Sequence, residues 1–428
     1  MSSGRMTPRD VARRVLDRVE RGGAWATPTL DGELARAGLD DRDRRLASEL
    51  VYGVLRHRTR LDRALAAHAD LKRTPPRVLL ALRLAAYQLL FLDRVPAYAA
   101  VDDAVAAARE ASGQKLAGFV NAVLRKLDKA KEPPLPVSGR ERIEIEASLP
   151  RWIIDELAAA TGEPDLPARA AAFAQSAPLV ARVNTRKTTR EALIEELHAA
   201  GVTATPVDVD GMTPSALLLD GLGDPARNAS FMAGRWTVQD TGAQLVAHIA
   251  APRAGQRILD ACAGVGGKST HLAELTDDKA AIDAADLNAT KLGLLAETAD
   301  RLGLSSIRRH TCDLLDPKAP LADAYDLIIL DAPCSGLGVL RRHPDAKWRL
   351  QPADVPRLAD LQRQLLDAVV RRLAPQGVLV YSVCTFTHAE GPEQAAAFAA
   401  RSGLRIVAEH RSWPPEADAF YVARLERA

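Results

Sequence analysis

A carboxylate and two thiols stand where two apolar stretches of the sequence end. Asp331 and Cys334 follow the apolar residues 327–330. Cys384 follows a similar stretch at residues 377–382. Both stretches are typical of buried parallel strands, and open α/β sheets bind ligands at the edge formed by the carboxyl ends of such strands. Since a thiolate is a nucleophile and a carboxylate can share a proton, neighbouring strands would form one site for covalent catalysis.

A glycine-rich loop follows the first predicted strand of the same region, residues 257–260. The loop consists of Cys262, Ala263, Gly264, Val265, Gly266, Gly267 and Lys268. Its glycines let the backbone approach a ligand, and a helix that begins after them offers free N–H groups. Two phosphate-binding patterns nearly match, but each lacks one glycine, at Cys262 or at Ser269. A phosphate ligand is therefore disfavoured.

Acidic residues complete a predicted nucleoside site beside this loop. Asp286 ends the second strand and can hold a ribose diol, or it could merely cap the helix that begins near Ala289. Asp313 follows the third strand, where we expect an adenine contact, and Asp331 borders the same site. Cys262 lines the loop. A nucleoside without phosphates fits this arrangement, and we predict S-adenosyl-L-methionine as the cofactor.

Strand and helix patterns alternate from residue 239 onward, which predicts a doubly wound sheet. The predicted strands are residues 257–260, 280–285, 307–311, 326–330, 378–382, 405–409 and 420–425. The last two are joined by a loop without a helix, so they should pair antiparallel. The sheet should therefore have seven strands and be mostly parallel, with one reversed strand.

The predicted fold is multidomain. Residues 1–132 show helical patterns without strand alternation and form an all-α domain. A proline-rich linker then leads to a small α+β domain at residues 140–236, which we expect to capture RNA. The alternating region forms a Rossmann-like α/β domain at residues 237–428.

Composition excludes several classes of protein. The chain has 428 residues, of which 47% are hydrophobic and 26% charged, as in ordinary globular proteins. Its net charge of +2 means that a nucleic-acid surface must come from local clusters. The four cysteines include no CxxC pair, which argues against a disulfide framework or a structural zinc site. Without a signal peptide or a membrane-spanning run, we expect a cytoplasmic protein with free thiols and no metal.

Two basic clusters are candidates for RNA contacts, one at the end of a strand in the middle domain and one on the loop after Gly338. Their guanidinium, amide, imidazole and ammonium groups suit phosphates and bases. The candidate residues are Arg182, Asn184, Arg186, Arg342, His343 and Lys347. The strand end could instead be simply solvated, and the loop could be a lid held by its own packing.

Three motifs together resemble those of the RNA cytosine-C5 methyltransferases. They are Asp331-Ala332-Pro333-Cys334, Ser382-Val383-Cys384-Thr385 and the glycine-rich loop at 262–268. The helical domain, with residues 119–125, resembles NusB-type antitermination factors. This fusion is similar to the bacterial enzymes of that family that act on small-subunit (16S) ribosomal RNA. One departure is Val265, because the family usually has proline there, so the loop should be less rigid.

The resemblance implies the chemistry of the site. Cys384 would be the nucleophile that adds to C6 of a cytosine, and Cys334 would aid its release. Asp331 is placed to share a proton at N3, and Lys268 either lowers a thiol pKa or binds carbonyl groups. The target base must leave its stack to reach these groups.

The predicted function is therefore S-adenosylmethionine-dependent methylation of C5 of a cytosine in 16S ribosomal RNA. We expect a monomer whose partner is small-subunit ribosomal RNA, with no membrane contact. Two alternatives stay open. One is a tRNA cytosine-C5 methyltransferase. The other is a non-catalytic RNA-binding or antitermination factor that carries an inactive methyltransferase domain.

Overall fold

The computed structural model describes residues 6–427, which form two compact units. The first unit runs to Gln175 and takes in Leu340–Arg349. The second comprises Ser176–Val339 and the chain from Leu350 onward. The domain boundaries predicted at residues 132 and 236 stay a prediction. Within residues 6–427, none of the helices is long and apolar enough to cross a membrane.

Helices dominate the first unit and alternate with strands in the second. The α-helices are α1 (Pro8–Gly22), α2 (Ala26–Ala37), α3 (Asp41–Arg56), α4 (Arg58–Ala66), α5 (Pro76–Phe91), α6 (Ala97–Ser112), α7 (Gln114–Ala130), α8 (Arg140–Ala147), α9 (Arg151–Thr161), α10 (Leu166–Phe173), α11 (Arg190–Ala199), α12 (Ala229–Met232), α13 (Thr241–Ala250), α14 (Gly267–Leu275), α15 (Ala289–Leu302), α16 (Ala346–Arg349), α17 (Asp354–Val369) and α18 (Pro392–Ser402). The strands are β1 (Leu179–Val183), β2 (Thr203–Pro206), β3 (Ala216–Asp220), β4 (Trp236–Val238), β5 (Arg257–Ala261), β6 (Ala281–Asp286), β7 (Ile307–Thr311), β8 (Tyr325–Asp331), β9 (Leu373–Val383), β10 (Leu404–Ser412) and β11 (Phe420–Arg427).

The first unit is helical because its sequence alternates apolar and polar residues at the helical period. In α1, Thr7 caps the helix and exchanges hydrogen bonds with Asp10, and Pro8 occupies the first turn. Val11, Val15 and other apolar residues of the same face are buried. Helix α2 was not predicted, since it begins after Trp25 without a capping side chain. The prediction that this region is helical is confirmed.

A short segment that lies far along the sequence belongs to this helical unit. In α16, the Lys347 ammonium donates to the carbonyl oxygens of Arg56 and Ala147, at 2.8 and 3.4 Å. The Trp348 indole N–H donates to the carbonyl oxygen of Leu55 at 2.7 Å. These buried donors satisfy carbonyl oxygens at the carboxyl ends of α3 and α8. The segment is therefore part of the unit's core.

The second unit contains two sheets. The smaller is antiparallel, with strand order β2-β3-β1-β4, and it buries Trp236 completely. The larger has seven strands in the order β10-β11-β9-β8-β5-β6-β7. Its pairs from β9 to β7 are parallel, whereas β11 is antiparallel to both β10 and β9. The prediction of a mostly parallel seven-stranded sheet with one reversed strand is confirmed.

Helices cover both faces of the larger sheet because its central strands carry apolar side chains on both faces. Successive residues of a strand point to opposite faces. Leu259 and Ile328 accordingly pack in the core that includes α17 and α18. Ile258 and Ile329 pack in the core that includes α13, α14 and α15. With both faces closed, the edge formed by the strands' carboxyl ends is left for ligands.

Candidate active site

The two thiols predicted to form a pair are in contact. Strands β8 and β9 are neighbours, and their register places Asp331 opposite Ser382. The loops that follow these two residues bring the Sγ atoms of Cys334 and Cys384 to 3.3 Å from each other. Gly338 fixes the second loop, since its N–H donates to the Cys384 carbonyl oxygen at 3.0 Å. Both thiols are free and half-buried.

Asp331 and Lys268 form an ion pair beside the thiols. The Lys268 ammonium donates to Asp331 Oδ2 at 2.6 Å, and the Ser382 hydroxyl donates to Oδ1 at 2.8 Å. Burial acts to lower the pKa of Lys268, but the charge and hydrogen bond of Asp331 outweigh it, with smaller contributions from Asp260 and Cys384, so the pKa is raised. Lys268 therefore stays a cation and can stabilise negative charge at this edge of the sheet.

The surroundings of Cys334 favour its neutral thiol. Its hydrogen bond with Cys384 and its burial raise the pKa of the Cys334 thiol well above the ordinary value of 9.0. Either sulfur of the contact between Cys334 and Cys384 can donate, and a neutral Cys334 thiol is able to do so. A negative charge on Cys384 contributes to the raised pKa of Lys268.

The glycine-rich loop has a backbone that most residues cannot adopt. Gly264 and Gly266 have φ values of 57° and 82°, and Cys262 also lies in the left-handed region with φ of 65°. Gly266 precedes α14, and a Cβ there would lie 2.3 Å from Leu295 Cγ, so a side chain would be both strained and blocked. Val265 is 53% exposed on the outside of the loop.

Asp286 ties this loop to the end of β6. Its Oδ2 accepts from the Gly264 N–H at 2.8 Å, and its Oδ1 accepts from the Asn288 N–H at 2.8 Å. The side chain that caps α15 is that of Asn288, which accepts from the Lys291 N–H. The alternative in which Asp286 caps this helix is therefore wrong. Each carboxylate oxygen keeps a lone pair that a ribose hydroxyl can use.

The next strand end completes a surface that fits a nucleoside. The Cys312 N–H donates to the Asp286 carbonyl oxygen at 3.2 Å, which brings the end of β7 beside that of β6. Asp313 follows, exposed, and accepts from the Leu315 N–H at 2.9 Å. Leu287 and Leu315 are 70% and 39% exposed, and neither was predicted. Acids for hydroxyls and amino groups beside exposed apolar side chains suit a nucleoside such as that of S-adenosyl-L-methionine.

A buried carboxylate that no sequence motif singled out lies behind the ion pair. Asp260, the fourth residue of β5, is completely buried and accepts from the Ser269 hydroxyl. Burial raises its pKa from 3.8 to about 7, with a further contribution from the charge of Asp331, whereas Ser269 and Lys268 act to lower it. Asp260 therefore carries a proton in slightly acidic solution.

The RNA contacts predicted for Arg182 and Asn184 are wrong, because both side chains are completely buried. Arg182 forms a salt bridge with Glu274 at 2.9 Å and donates to the Gly267 carbonyl oxygen at 3.0 Å, so it holds the first turn of α14. The Asn184 amide donates to the carbonyl oxygens of Gly234 and Leu302. The basic and amide groups of this strand end serve packing and backbone satisfaction instead of a ligand.

The other residues predicted to contact RNA are either buried or accessible to solvent. Lys347 is 2% exposed, and burial followed by the charge of Arg56 lowers its pKa well below 10.5, so the predicted RNA contact is wrong for this residue. Arg186 is exposed and pairs with Asp277 at 3.3 Å. Arg342 is half-buried and His343 is exposed. The RNA contacts of Arg186, Arg342 and His343 stay predictions.

Three protein families match successive parts of the chain. Residues 6–129 match the NusB family, and residues 149–224 match the ferredoxin-like domain of the RsmF/B-like methyltransferases. Residues 247–426 match the family described as 16S rRNA methyltransferase RsmB/F. A relative from Synechocystis sp., named probable ribosomal RNA small subunit methyltransferase B, is 35% identical over 96% of this chain and 91% of its own. The chain belongs to the RsmB/F family.

Other relatives support this assignment. The Bacillus subtilis probable ribosomal RNA small subunit methyltransferase B is 33% identical over 95% of this chain and 90% of its own. The Xylella fastidiosa ribosomal RNA small subunit methyltransferase B is 37% identical over 94% of this chain and 90% of its own. The predicted resemblance is thereby confirmed over nearly the whole chain.

Solved structures share the fold. PH0851 has a TM-score of 0.81 with 22% identity and covers 97% of each chain. NSun6 from Pyrococcus horikoshii, solved with SFG, has a TM-score of 0.59 with 20% identity and covers 65% of this chain and 98% of its own. Membership of the RsmB/F family makes this chain a methyltransferase, and its cofactor is S-adenosyl-L-methionine, as predicted from the loop and the acidic strand ends.

Proposed function

We propose that this RsmB/F-family protein transfers a methyl group to C5 of a cytosine in 16S ribosomal RNA through a covalent bond between Cys384 and C6. The observation that carries the proposal is the contact of two thiols, 3.3 Å apart, beside the ion pair of Lys268 and Asp331. C5 of cytosine is a poor nucleophile, and addition of a thiolate at C6 is what makes it reactive. A single thiol would suffice for addition, whereas a pair also provides for release.

The raised pKa of the Cys334 thiol favours Cys384 as the nucleophile. The Cys384 thiolate adds to C6, the electron pair of the C5–C6 double bond forms a C4–C5 double bond, and the pair of the C4–N3 double bond moves to N3. Asp331, held by Lys268 and Ser382, supports a proton at N3 and so stabilises the adduct. S-adenosyl-L-methionine, when bound, supplies an electrophilic methyl group. Lys268 keeps Asp331 oriented, which is the role that its ion pair supports best.

Release of the product uses the second thiol. Once Cys384 Sγ is bonded to carbon, its hydrogen bond with the Cys334 thiol is weakened, which removes the largest cause of the raised pKa of Cys334. The Cys334 thiol can then lose its proton to solvent and take up the proton of C5. The electron pair of the C5–H bond restores the C5–C6 double bond, and the Sγ–C6 bond breaks to return Cys384 as a thiolate.

Two alternatives to this substrate assignment have different consequences. A tRNA enzyme would keep the same chemistry, whereas an RNA-binding factor without activity would have no use for the thiol pair. The names of the relatives, which are ribosomal RNA small subunit methyltransferases, support the ribosomal substrate. The contact between Cys334 and Cys384 and the intact ion pair support an active enzyme.

A methyl-transfer assay tests the proposal. The full-length protein is incubated with methyl-tritiated S-adenosyl-L-methionine and with purified 16S ribosomal RNA or tRNA in separate reactions, and the digested RNA is separated by nucleoside. We expect label in 5-methylcytidine from 16S ribosomal RNA, and none with Cys384→Ala. Label in tRNA alone would contradict the substrate, label in another nucleoside would contradict the chemistry, and no label in either RNA would favour the binding factor.

A further inference from the structure

A buried glutamate lies between the loops that carry the two thiols. Glu390 precedes α18 and its side chain is 0% exposed. It hydrogen-bonds to neither Sγ atom, yet it is bonded to Ser335, next to Cys334, and to Thr387, in the loop that begins at Cys384. A buried carboxylate is costly unless it is fully hydrogen-bonded, so its partners indicate what it holds.

Four donors converge on the two oxygens of Glu390. Ser335 donates its backbone N–H to Oε1 at 2.7 Å and its hydroxyl to Oε2 at 2.6 Å. The Thr387 hydroxyl donates to Oε2 at 2.9 Å, and the Gln362 amide donates to Oε1 at 3.1 Å. An ionised carboxylate only accepts hydrogen bonds and has room for about four, so this environment suits a charged glutamate.

These hydrogen bonds join the two thiol-bearing loops. Ser335 directly follows Cys334 in the loop after β8, and Thr387 is in the loop after β9 that begins at Cys384. The hydroxyl oxygens of Ser335 and Thr385 are also 2.9 Å apart, which adds a direct contact between the loops. Glu390 thus fixes both loops through charge-assisted bonds, which are stronger than neutral ones.

A second set of contacts fastens this cluster to the sheet and to α17. The Gln362 amide donates to the Pro333 carbonyl oxygen at 2.9 Å as well as to Glu390. The Tyr381 hydroxyl of β9 contacts the Glu390 carbonyl oxygen and lies 3.0 Å from Gln362 Oε1. The residues around Glu390 are therefore held by both α17 and β9, and the thiol loops have little freedom to separate.

We propose that Glu390 is a positioning residue that sets the separation of Cys334 and Cys384. The inference rests on the proposed function of the thiol pair. Reacting groups must be held close to their productive geometry, and a displacement of about 1 Å is enough to cost roughly a hundredfold in rate. Glu390 contacts no reacting atom, and besides joining the loops its charge contributes to the raised pKa of Cys334.

The substitution Glu390→Gln tests this role at constant shape. A glutamine replaces one accepting oxygen with a donating NH₂ group, which then faces donors of Ser335, Thr387 or Gln362. In the full-length protein we expect single-turnover methyl transfer to 16S ribosomal RNA to fall by at least about tenfold. The Kd for S-adenosyl-L-methionine should stay within about twofold, because Asp286 and the glycine-rich loop are not in contact with Glu390.

Asp278→Asn is the matched control. Asp278 also accepts several hydrogen bonds, from the backbone N–H groups of Ser305 and Ser306 and from the Ser305 hydroxyl. It lies before the amino end of β6, at the opposite edge of the sheet from the thiols. We expect this variant to keep the wild-type rate, so that loss of a carboxylate acceptor by itself does not explain the effect of Glu390→Gln.

Oxidation of the thiols gives a readout that does not depend on activity. Diamide takes two electrons and two protons from Cys334 and Cys384 and becomes a hydrazine, while one S–S bond forms. Because the Sγ atoms are 3.3 Å apart, we expect rapid closure of this disulfide in the wild type, measured by peptide mass spectrometry. In Glu390→Gln, closure should be at least several-fold slower.

The outcomes separate the two proposals. If the wild type transfers no methyl group, the proposed function fails, and the diamide rates alone decide the role of Glu390. If Glu390→Gln does not fold, Ser335→Ala is judged by the same two measurements, since it removes one hydroxyl from Glu390 and from Thr385. Variant rates within about twofold of the wild type, in both methyl transfer and disulfide closure, would overturn the positioning role.

Discussion

Single residues in this site owe their properties to their neighbours more than to their type. The pKa of the Cys334 thiol is raised well above the ordinary value by its hydrogen bond with Cys384 and by burial. Asp331 has an ammonium at 2.6 Å, whereas Asp260 is buried without a charged hydrogen-bond donor. Burial without such a donor raises the pKa of Asp260 to about 7.

Asp260 provides a prediction about stability and pH. Its pKa is about 7 in the folded protein and near 3.8 when unfolded, so the folded protein binds the extra proton between these values. The stability that this proton contributes is present below about pH 4 and is lost as the pH rises through about 7. The substitution Asp260→Asn introduces a neutral side chain of the same shape, so the variant should lack this dependence of stability on pH.

Urea unfolding of the wild type and of Asp260→Asn between pH 4.5 and 7.5 measures how the contribution of Asp260 to stability depends on pH. The free energy of unfolding of the wild type relative to Asp260→Asn should fall steadily as the pH rises. The comparison with the variant removes the contributions of other titrating groups, including the histidines. A difference that is constant with pH, or one that grows as the pH rises, would contradict a buried neutral Asp260.

Secondary-structure elements place these residues through strand register and through close approaches of the backbone. Strand β7 was predicted at its observed bounds, and α15 begins at Ala289 as expected, because local sequence patterns mark both elements. The contact of Cys334 with Cys384 also depends on β8 and β9 being neighbours, which the motifs suggested. The role of Arg182 could not be predicted, because its partner Glu274 is 92 residues away and a basic strand end looks the same whether buried or solvated.

Near the thiols, the backbone at Gly338 lies very close to neighbouring backbone. A Cβ at this position would lie 1.9 Å from the Ala419 carbonyl oxygen and 2.8 Å from that of Cys384. Gly338→Ala must therefore move backbone, and we expect a loss of about 1–3 kcal/mol in the free energy of unfolding. Methyl transfer should fall as well, since the displaced backbone carries Cys384.

Gly293→Ala is the control for this substitution. Gly293 lies in α15, and an added Cβ would have no neighbour within 4 Å. Alanine should raise the free energy of unfolding there by about 0.5–1 kcal/mol without changing methyl transfer. The two variants are compared by chemical denaturation and by the tritium assay. If Gly338→Ala kept the stability and activity of the wild type, the close packing around Cys384 would be refuted.

At the scale of the whole molecule, one structural unit combines segments that are far apart in the sequence. The alternation of strands and helices from residue 239 predicted the larger sheet, since each element is encoded locally. The return of Leu340–Arg349 to the helical unit was not predicted, because it depends on contacts such as that of Trp348 with Leu55, 293 residues apart. The basic and aromatic residues of this segment looked like an RNA-binding loop, and only burial distinguishes the two cases.

This arrangement predicts that the helical unit is incomplete without the returning segment. A protein consisting of residues 1–175 lacks the donors that Lys347 and Trp348 supply to carbonyl oxygens of α3 and α8. A synthetic peptide of residues 338–351 should raise its Tm, because a ligand that binds only the folded state stabilises it by mass action. Differential scanning calorimetry with the peptide, and with a scrambled peptide of the same composition, measures the effect. Equal Tm values with both peptides would show that the segment contributes nothing to this unit.

The thiol pair offers the most direct test of the central claim, that Cys384 attacks the cytosine and Cys334 releases it. Cys334→Ala and Cys384→Ala are each incubated with 16S ribosomal RNA and S-adenosyl-L-methionine, and RNA-bound protein is isolated under denaturing conditions and mapped by mass spectrometry. We predict that Cys334→Ala accumulates RNA bonded to Cys384, and that Cys384→Ala forms no adduct and no product. An adduct in Cys384→Ala, with RNA bonded to Cys334, would contradict the account.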